Sequence, residues 1–232
     1  MVCEDPIVHH TERKMIIPEQ IQIETVAGLC NVSCNMCPID SHPRQEIMSL
    51  DFFKRIIKRL KSYSGEIKMV TLSGIGEPFL DKSISLKISY LVESGFQGVG
   101  VYTNGMALTP SNTEKVFEAG LSTLVISLDG LTAETQDRIR LGSEINKLLP
   151  KIHNAIKLRD SRFKNVSIIL RFTRQAINSH ETETYVNYWR EHLKLATTGR
   201  DQILIYDMHS HGNLVDIKNI QVKQIMRQGG AF

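Results

Sequence analysis

The chain is short of cysteine, of aromatic residues and of long apolar runs. Four cysteines occur in 232 residues, and none follows Cys37. Three of the four lie between positions 30 and 37, which is not the spread-out framework of a small disulfide-stapled secreted domain. No stretch approaches the roughly 18 apolar residues that mark a membrane helix. Residues 1–14 are polar, are interrupted by Pro6, and lack the apolar segment of a secretory signal. An excess of one charge is missing too. The formal net charge is +3, too little to imply nucleic acid or a membrane surface as partner. These absences predict a soluble, cytoplasmic protein in a reducing compartment, where thiolates stay free to bind metal.

What is present is ordinary globular composition, 41% hydrophobic and 23% charged, enough to bury a core without staples. The apolar pattern alternates between two periods. Short β-branched runs at Ile21–Val26, Ile67–Leu72, Gly98–Tyr102, Thr123–Leu128, Val166–Phe172 and Ile203–Tyr206 read as strands. Segments of helical spacing lie between them: Leu50–Leu60 behind Ser49, Ser83–Ser94 stopping before Gly95, and Pro110–Ala119 between Thr109 and Gly120. Thr132–Arg140, Glu144–Arg159 and His180–Leu195 follow. Ser49 and Thr109 are good N-cap residues, and proline suits the first helical position. Strands alternating with helices predict an α/β fold with a mainly parallel sheet, curled into a barrel or wound on both faces. The organisation expected is a tail at 1–15, a core at 16–206 and a C-terminal tail at 207–232 that either contacts substrate or is truncated. Within that tail Gln221–Arg227 is a possible short helix.

Lys54, Arg55, Lys58, Arg59 and Lys61 interleave with Phe52, Phe53, Ile56, Ile57 and Leu60. This spacing predicts the solvated face of an amphipathic helix; a docking face for an acidic reductant or a phosphate backbone is the alternative.

The concentrated chemistry is Cys30-Asn-Val-Ser-Cys34-Asn-Met-Cys37. Three thiolates on so short a loop can reach a common metal centre. Structural zinc takes four closed ligands, and an iron–sulfur cube takes four iron ligands, normally all cysteine. Three cysteines therefore leave one position open, as catalysis needs. Zinc completed by His42 is the competing reading. Cys3, in the polar N-terminal tail, is a poor fourth ligand. In a barrel, active-site residues sit at the C-terminal ends of the strands. The cysteines follow the first predicted strand, Gly74–Pro78 the second, Thr103–Gly105 the third, and Asp129-Gly130 the fourth. All four groups thus fall on one predicted rim.

At these residues the sequence resembles the radical S-adenosylmethionine (radical SAM) superfamily over about residues 16–206. Its C-x3-C-x-φ-C motif is matched, with Met36 at the φ position. Gly74-Ile75-Gly76-Glu77-Pro78 resembles the family's GGEP loop, Tyr102-Thr103-Asn104-Gly105 its TNG strand end, and Ser127-Leu128-Asp129-Gly130 its S-x-D-G. The nearest pattern is the molybdenum-cofactor cyclase group, without its auxiliary-cluster cysteines.

The resemblance implies a partial (β/α)6 TIM-like barrel of parallel strands. It implies a [4Fe–4S] cluster on Cys30, Cys34 and Cys37, which cleaves SAM to a radical. SAM contacts are implied at Met36, Gly74, Gly76, Glu77, Pro78, Thr103, Asn104 and Ser127, and a substrate-facing carboxylate at Asp129. Arg171, charged within the apolar IILRFT run, either binds the SAM carboxylate or is a satisfied core arginine; Arg140 is a weaker candidate for the same part. Ile203–Tyr206 is a candidate adenine wall, and His209 and His211 are candidate substrate contacts. The expected partners are a small-molecule substrate and a one-electron donor such as flavodoxin or ferredoxin. Peptide modification is the alternative activity, less expected because only about twenty residues precede the first strand. A non-catalytic metal module is the alternative of another class.

Overall fold

A computed structural model describes residues 16–193, 201–211 and 214–221. Six strands form one sheet: β1 (Gln20–Ile23), β2 (Met69–Leu72), β3 (Val99–Thr103), β4 (Thr123–Ser127), β5 (Ser167–Arg174) and β6 (Gln202–Asp207). Every adjacent pair is parallel and the spatial order follows the sequence, with β1 and β6 at the two edges. Helices α1 (Leu50–Leu60), α2 (Ile84–Glu93), α3 (Pro110–Glu118), α4 (Ile145–Arg162) and α5 (Thr182–Leu193) fill the five crossovers. This is the open (β/α)6 arrangement that the alternation of periods predicts. Among the described residues no helix is long and apolar enough to cross a membrane.

Local chemistry accounts for the helix starts. Ser49 Oγ accepts from Phe52 N at 3.2 Å and opens α1 at Leu50. Thr109 Oγ1 accepts from Asn112 N at 3.1 Å, with Pro110 in the first turn of α3. Helix α1 buries Phe53 and Ile57 and leaves Lys54, Arg55, Lys58, Arg59 and Lys61 in solvent, the solvated-face arrangement.

The strands alternate. In β5, Ile168, Leu170 and Phe172 are fully buried against the helix layer, while Ile169, Arg171 and Thr173 face the other way. That period of two explains how a charge sits inside an apolar run. Leu72, Val101, Leu124 and Ile126 share the first face and meet Ile57, Ile88, Leu91, Leu148, Ile152 and Trp189 from the helices, all in one core.

Three departures from the sequence expectation shape the site. The first predicted strand is split: β1 ends at Ile23, and Val26–Ala27 pairs instead with Glu46–Ile47. The helix expected over Thr132–Arg140 is a π-helical turn at Ala133–Asp137, and Arg140–Leu141 is a strand that pairs antiparallel with Ser33–Cys34. A partner more than a hundred residues away overrides local helical spacing here. Finally, the tail turns back after β6. Met208 is buried with Met36 and Ile139, and Val215, Ile217 and Ile220 pack on that cluster. Cys3, most of Gln221–Arg227 and the end of the His180–Leu195 helix lie outside the described residues.

Candidate functional site

The C-terminal ends of β1 to β5 surround a cavity of about 680 Å³. Its lining includes Cys30, Cys34, Cys37, Met36, Gly74, Gly76, Glu77, Thr103, Asn104, Ser127, Arg140, Arg171 and His211. The three thiols are free and partly buried. The sequence therefore brings to one place nearly every residue that it singles out. Pro78 lies just outside, opening a short 3-10 turn, and Ile203–Tyr206 does not line the cavity.

The cysteine loop is held from several sides. The Ser33–Cys34 strand is fixed by its pairing with Arg140–Leu141. Asn35 and Gln175 exchange side-chain hydrogen bonds at 3.0 and 3.1 Å, and Gln175 Nε2 also reaches Met36 Sδ at 3.0 Å. Asn104 Nδ2 donates to Asn31 Oδ1 at 2.7 Å and lies 3.5 Å from Cys30 Sγ.

The loop after β2 explains its two glycines. A Cβ on Gly74 would overlap the Glu24 carboxylate, and one on Gly76 would overlap the Val26 carbonyl oxygen. Close approach is needed because Glu77 N donates to Leu29 O at 2.9 Å and Gly28 N to Ile75 O at 2.6 Å, binding this loop to the one that carries the cysteines. Glu24 completes the tie, with Ile75 N at 2.6 Å and His42 Nε2 at 3.1 Å.

Glu77 is 2% exposed. Its carboxylate accepts from Thr103 Oγ1 at 2.8 Å, Asn104 N at 2.8 Å and Phe79 N at 3.1 Å. Burial nevertheless pushes its pKa above the usual carboxylate value, because three neutral donors only partly replace water.

Asp129 requires a correction. The resemblance turns it toward substrate, but the side chain is fully buried and absent from the cavity wall. Its Oδ2 accepts from Arg140 Nε at 2.7 Å and its Oδ1 from Thr173 N at 2.7 Å. The return of Arg140 as a strand captures this carboxylate. Asp129 thus holds Arg140 in place, and Arg140 Nη1 lies 3.4 Å from Cys34 Sγ. Burial alone would lower the Arg140 pKa, but Asp129 reverses that and holds the guanidinium charged.

The three thiols share one electrostatic environment. Burial pushes Cys34 up to about 11, only partly offset by Arg140, and it raises Cys30 and Cys37 in the same direction. Neutral thiols in a semi-buried pocket become thiolates when metal supplies the compensating charge.

Zinc completed by His42 does not fit. Both ring nitrogens of His42 are engaged, Nδ1 with the Arg44 backbone and Nε2 with Glu24. Among the described residues no three His, Cys, Asp or Glu side chains close on a single-ion position. Cys30, Cys34 and Cys37 all line one cavity, and three thiol donors fit a [4Fe–4S] cluster with one iron open.

The radical SAM superfamily model matches residues 25–178, more than half of the chain. The protein belongs to the radical SAM superfamily. It is 26% identical over 170 residues to a GTP 3',8-cyclase of Psychromonas ingrahamii, a match covering 72% of this chain and 48% of that protein. An AdoMet-dependent heme synthase of Methanosarcina barkeri is 36% identical over 126 residues, 53% of this chain and 34% of the relative. The chain spans about half the length of the curated cyclases it matches. Among solved structures, Streptococcus suis SuiB bound to S-adenosylmethionine superposes with a TM-score of 0.67 at 16% identity, over 87% of this chain and 43% of that one. This likeness is one of fold. Radical SAM enzymes use a [4Fe–4S] cluster and SAM, and the relatives named above relate this chain to the molybdenum-cofactor cyclase group.

Sequence reasoning missed Glu24, Gln175 and Asn178 and ranked Arg140 below Arg171. Asn178 Nδ2 donates to the Asp129 and Thr173 carbonyls at 2.8 and 3.0 Å, locking the ends of β4 and β5 together. Each of these residues acts through partners far away in the chain, and no local pattern marks it.

Proposed function

We propose that this enzyme binds its cluster through Cys30, Cys34 and Cys37, holds SAM against it, and directs hydrogen abstraction at a small molecule such as a sugar, a nucleotide or a natural-product intermediate. The observation that carries the reading is the polarity of the cavity that the thiols share. Acidic Glu24 and Glu77 lie on the β1–β2 side and cationic Arg140 and Arg171 on the β4–β5 side. A zwitterionic amino acid fits between such walls.

Held by Cys30, Cys34 and Cys37, the cluster would supply the single electron for reductive cleavage of SAM and so the radical chemistry that removes hydrogen from the substrate. The residues of the chain orient and shield that chemistry. Glu77 and the open backbone at Gly74 and Gly76 receive the ammonium. Arg140, whose Nη2 is buried without a partner, receives the carboxylate beside Cys34. Met36, 6% exposed, packs near the adenine, and Thr103, Asn104 and Ser127 edge the ribose. The surrounding barrel excludes water from a reactive species. A flavodoxin or ferredoxin supplies the electron, and the solvated face of α1 offers it a basic surface.

The test is anaerobic reconstitution with iron and sulfide, followed by dithionite and SAM. The expected result is four irons per chain, within the usual error of iron assays, and formation of 5′-deoxyadenosine. Bound iron without that product refutes the reading, and zinc in protein purified without oxygen refutes the cluster. Cys34→Ala is expected to abolish both iron binding and cleavage while far-UV circular dichroism stays close to that of the parent.

A further inference from the structure

The cavity holds more positive charge than one amino-acid carboxylate uses. Arg140 and Arg171 both line it, and among the described residues Nη2 of Arg140 and Nε of Arg171 are buried without an acceptor. Buried donors are normally paired, and both guanidiniums line the same cavity, where a ligand oxyanion would meet their charge. The two are not equivalent. Arg140 is anchored on Asp129 and touches Cys34, so its free nitrogen sits beside the thiols. Arg171 projects from the inner face of β5 with its guanidinium 5.8 Å from the Tyr102 ring centre.

The groups acting on Arg171 are Arg140, Asp129, Tyr102 and Tyr206, and its own charge acts on His211. The carboxylate in that set, Asp129, is committed to Arg140 and Thr173 N. Glu77, the buried acid of the opposite wall, accepts from Thr103, Asn104 and Phe79 and makes no ion pair with Arg171 among the described residues. Among the described residues Arg171 therefore pairs with no anion, and a guanidinium is a planar donor suited to oxyanions.

His211 arrives at the same cavity by a different route. It follows β6 and is the one non-glycine residue with positive φ (48°) among those described. Such a backbone persists only where its surroundings fix it, and it collects at functional sites. Here Met208 on one side and Val215, Ile217 and Ile220 on the other pack against Met36 and Ile139, and Ala176 N donates to Ile220 O at 2.9 Å. The anchored turn carries the His211 ring to the cavity wall.

We propose that Arg171 and His211 form the substrate-recognition face of this cavity, and that the substrate presents to them an oxyanion, either a phosphate ester or a carboxylate. The proposal rests on the SAM reading of the same site and assigns Arg171 to substrate and Arg140 to SAM.

Isothermal titration calorimetry on the full, anaerobically reconstituted chain tests it, with SAM as one ligand and pyrophosphate or malonate as the other. The expected result is saturable oxyanion binding to protein already loaded with SAM. Pyrophosphate in preference to malonate assigns a phosphate ester, and the reverse preference a carboxylate. Arg171→Gln weakens the oxyanion at least tenfold and SAM less than threefold, Arg140→Gln gives the opposite pattern, and Arg171→Lys falls between parent and Arg171→Gln. His211→Asn, a change at an exposed position to a residue that tolerates left-handed backbone, weakens the oxyanion three- to tenfold. Absence of oxyanion binding to the SAM-loaded chain, competition between the two ligands for one place, or equal losses of both in Arg171→Gln overturns the proposal and leaves the SAM reading standing. A parent chain that binds no SAM overturns both.

Discussion

Replacing Asp129 by asparagine separates a positioning role from a chemical one. The Asp129–Arg140 pair is 0% and 7% exposed at its two side chains, with a 2.7 Å contact, so solvent screening does not discount it. Asparagine keeps the shape but removes the charge. It also turns an amide N–H toward one of two donors, Arg140 Nε or Thr173 N. Breaking one side of a buried ion pair costs about 3–5 kcal/mol, because the remaining charge loses its compensation. For a chain of this size each kcal/mol moves Tm by about 2–4 °C, so the melting midpoint falls by about 6–20 °C. The assay is far-UV circular dichroism on anaerobically purified, metal-free protein. Asp129→Leu combined with Arg140→Met removes both charges and is expected to recover much of the loss, since apolar replacements of buried pairs are often neutral. A Tm for Asp129→Asn within about 2 °C of the parent, together with lost turnover, refutes the argument and returns Asp129 to direct chemistry. Additive effects in the double variant refute it as well.

The remaining predictions concern packing, approach and pH. Trp189→Ala empties a fully buried position beside Tyr185 and Tyr188; the expected cost is about 3–5 kcal/mol, seen as a lower urea midpoint with an unchanged m-value. Gly76→Ala drives a methyl into the Val26 carbonyl and strains the Glu77–Leu29 hydrogen bond; a loss of about 1–3 kcal/mol and weakened SAM binding by calorimetry are expected. Burial raises the Glu77 pKa above 4.5, so the folded chain binds this proton more tightly than the unfolded one. Its contribution to stability is present below 4.5 and is lost as pH rises through the raised folded value. Glu77→Gln is expected to flatten that part of the Tm–pH profile, and an unchanged slope speaks against the assignment.

The legible parts of the fold are those governed by short-range chemistry. Ser49 and Thr109 cap where their hydroxyls predict, and α1 runs from Leu50 to Leu60 as its spacing requires. The parallel order follows because right-handed crossovers leave few alternatives. The cysteine spacing and the loops after β2, β3 and β4 predict a shared rim, and these residues do line one cavity. What stayed hidden is long-range. Arg140 reads as the end of a helix, since nothing nearby announces the pairing of Arg140–Leu141 with Ser33–Cys34. Asp129 was misread for the same reason, because its partner is defined by that pairing. Gln175, Asn178 and Glu24 carry no signature outside the folded chain.

The pairing of Ser33–Cys34 with Arg140–Leu141 has a thermodynamic consequence. Where a metal site takes form only on binding, part of the affinity is consumed in ordering the loop. Here two paired strands, the Asn35–Gln175 exchange and the Asn104–Asn31 contact hold the lip in register through contacts between protein groups alone. To the extent that these contacts order the loop, less of a ligand's affinity is spent on loop entropy.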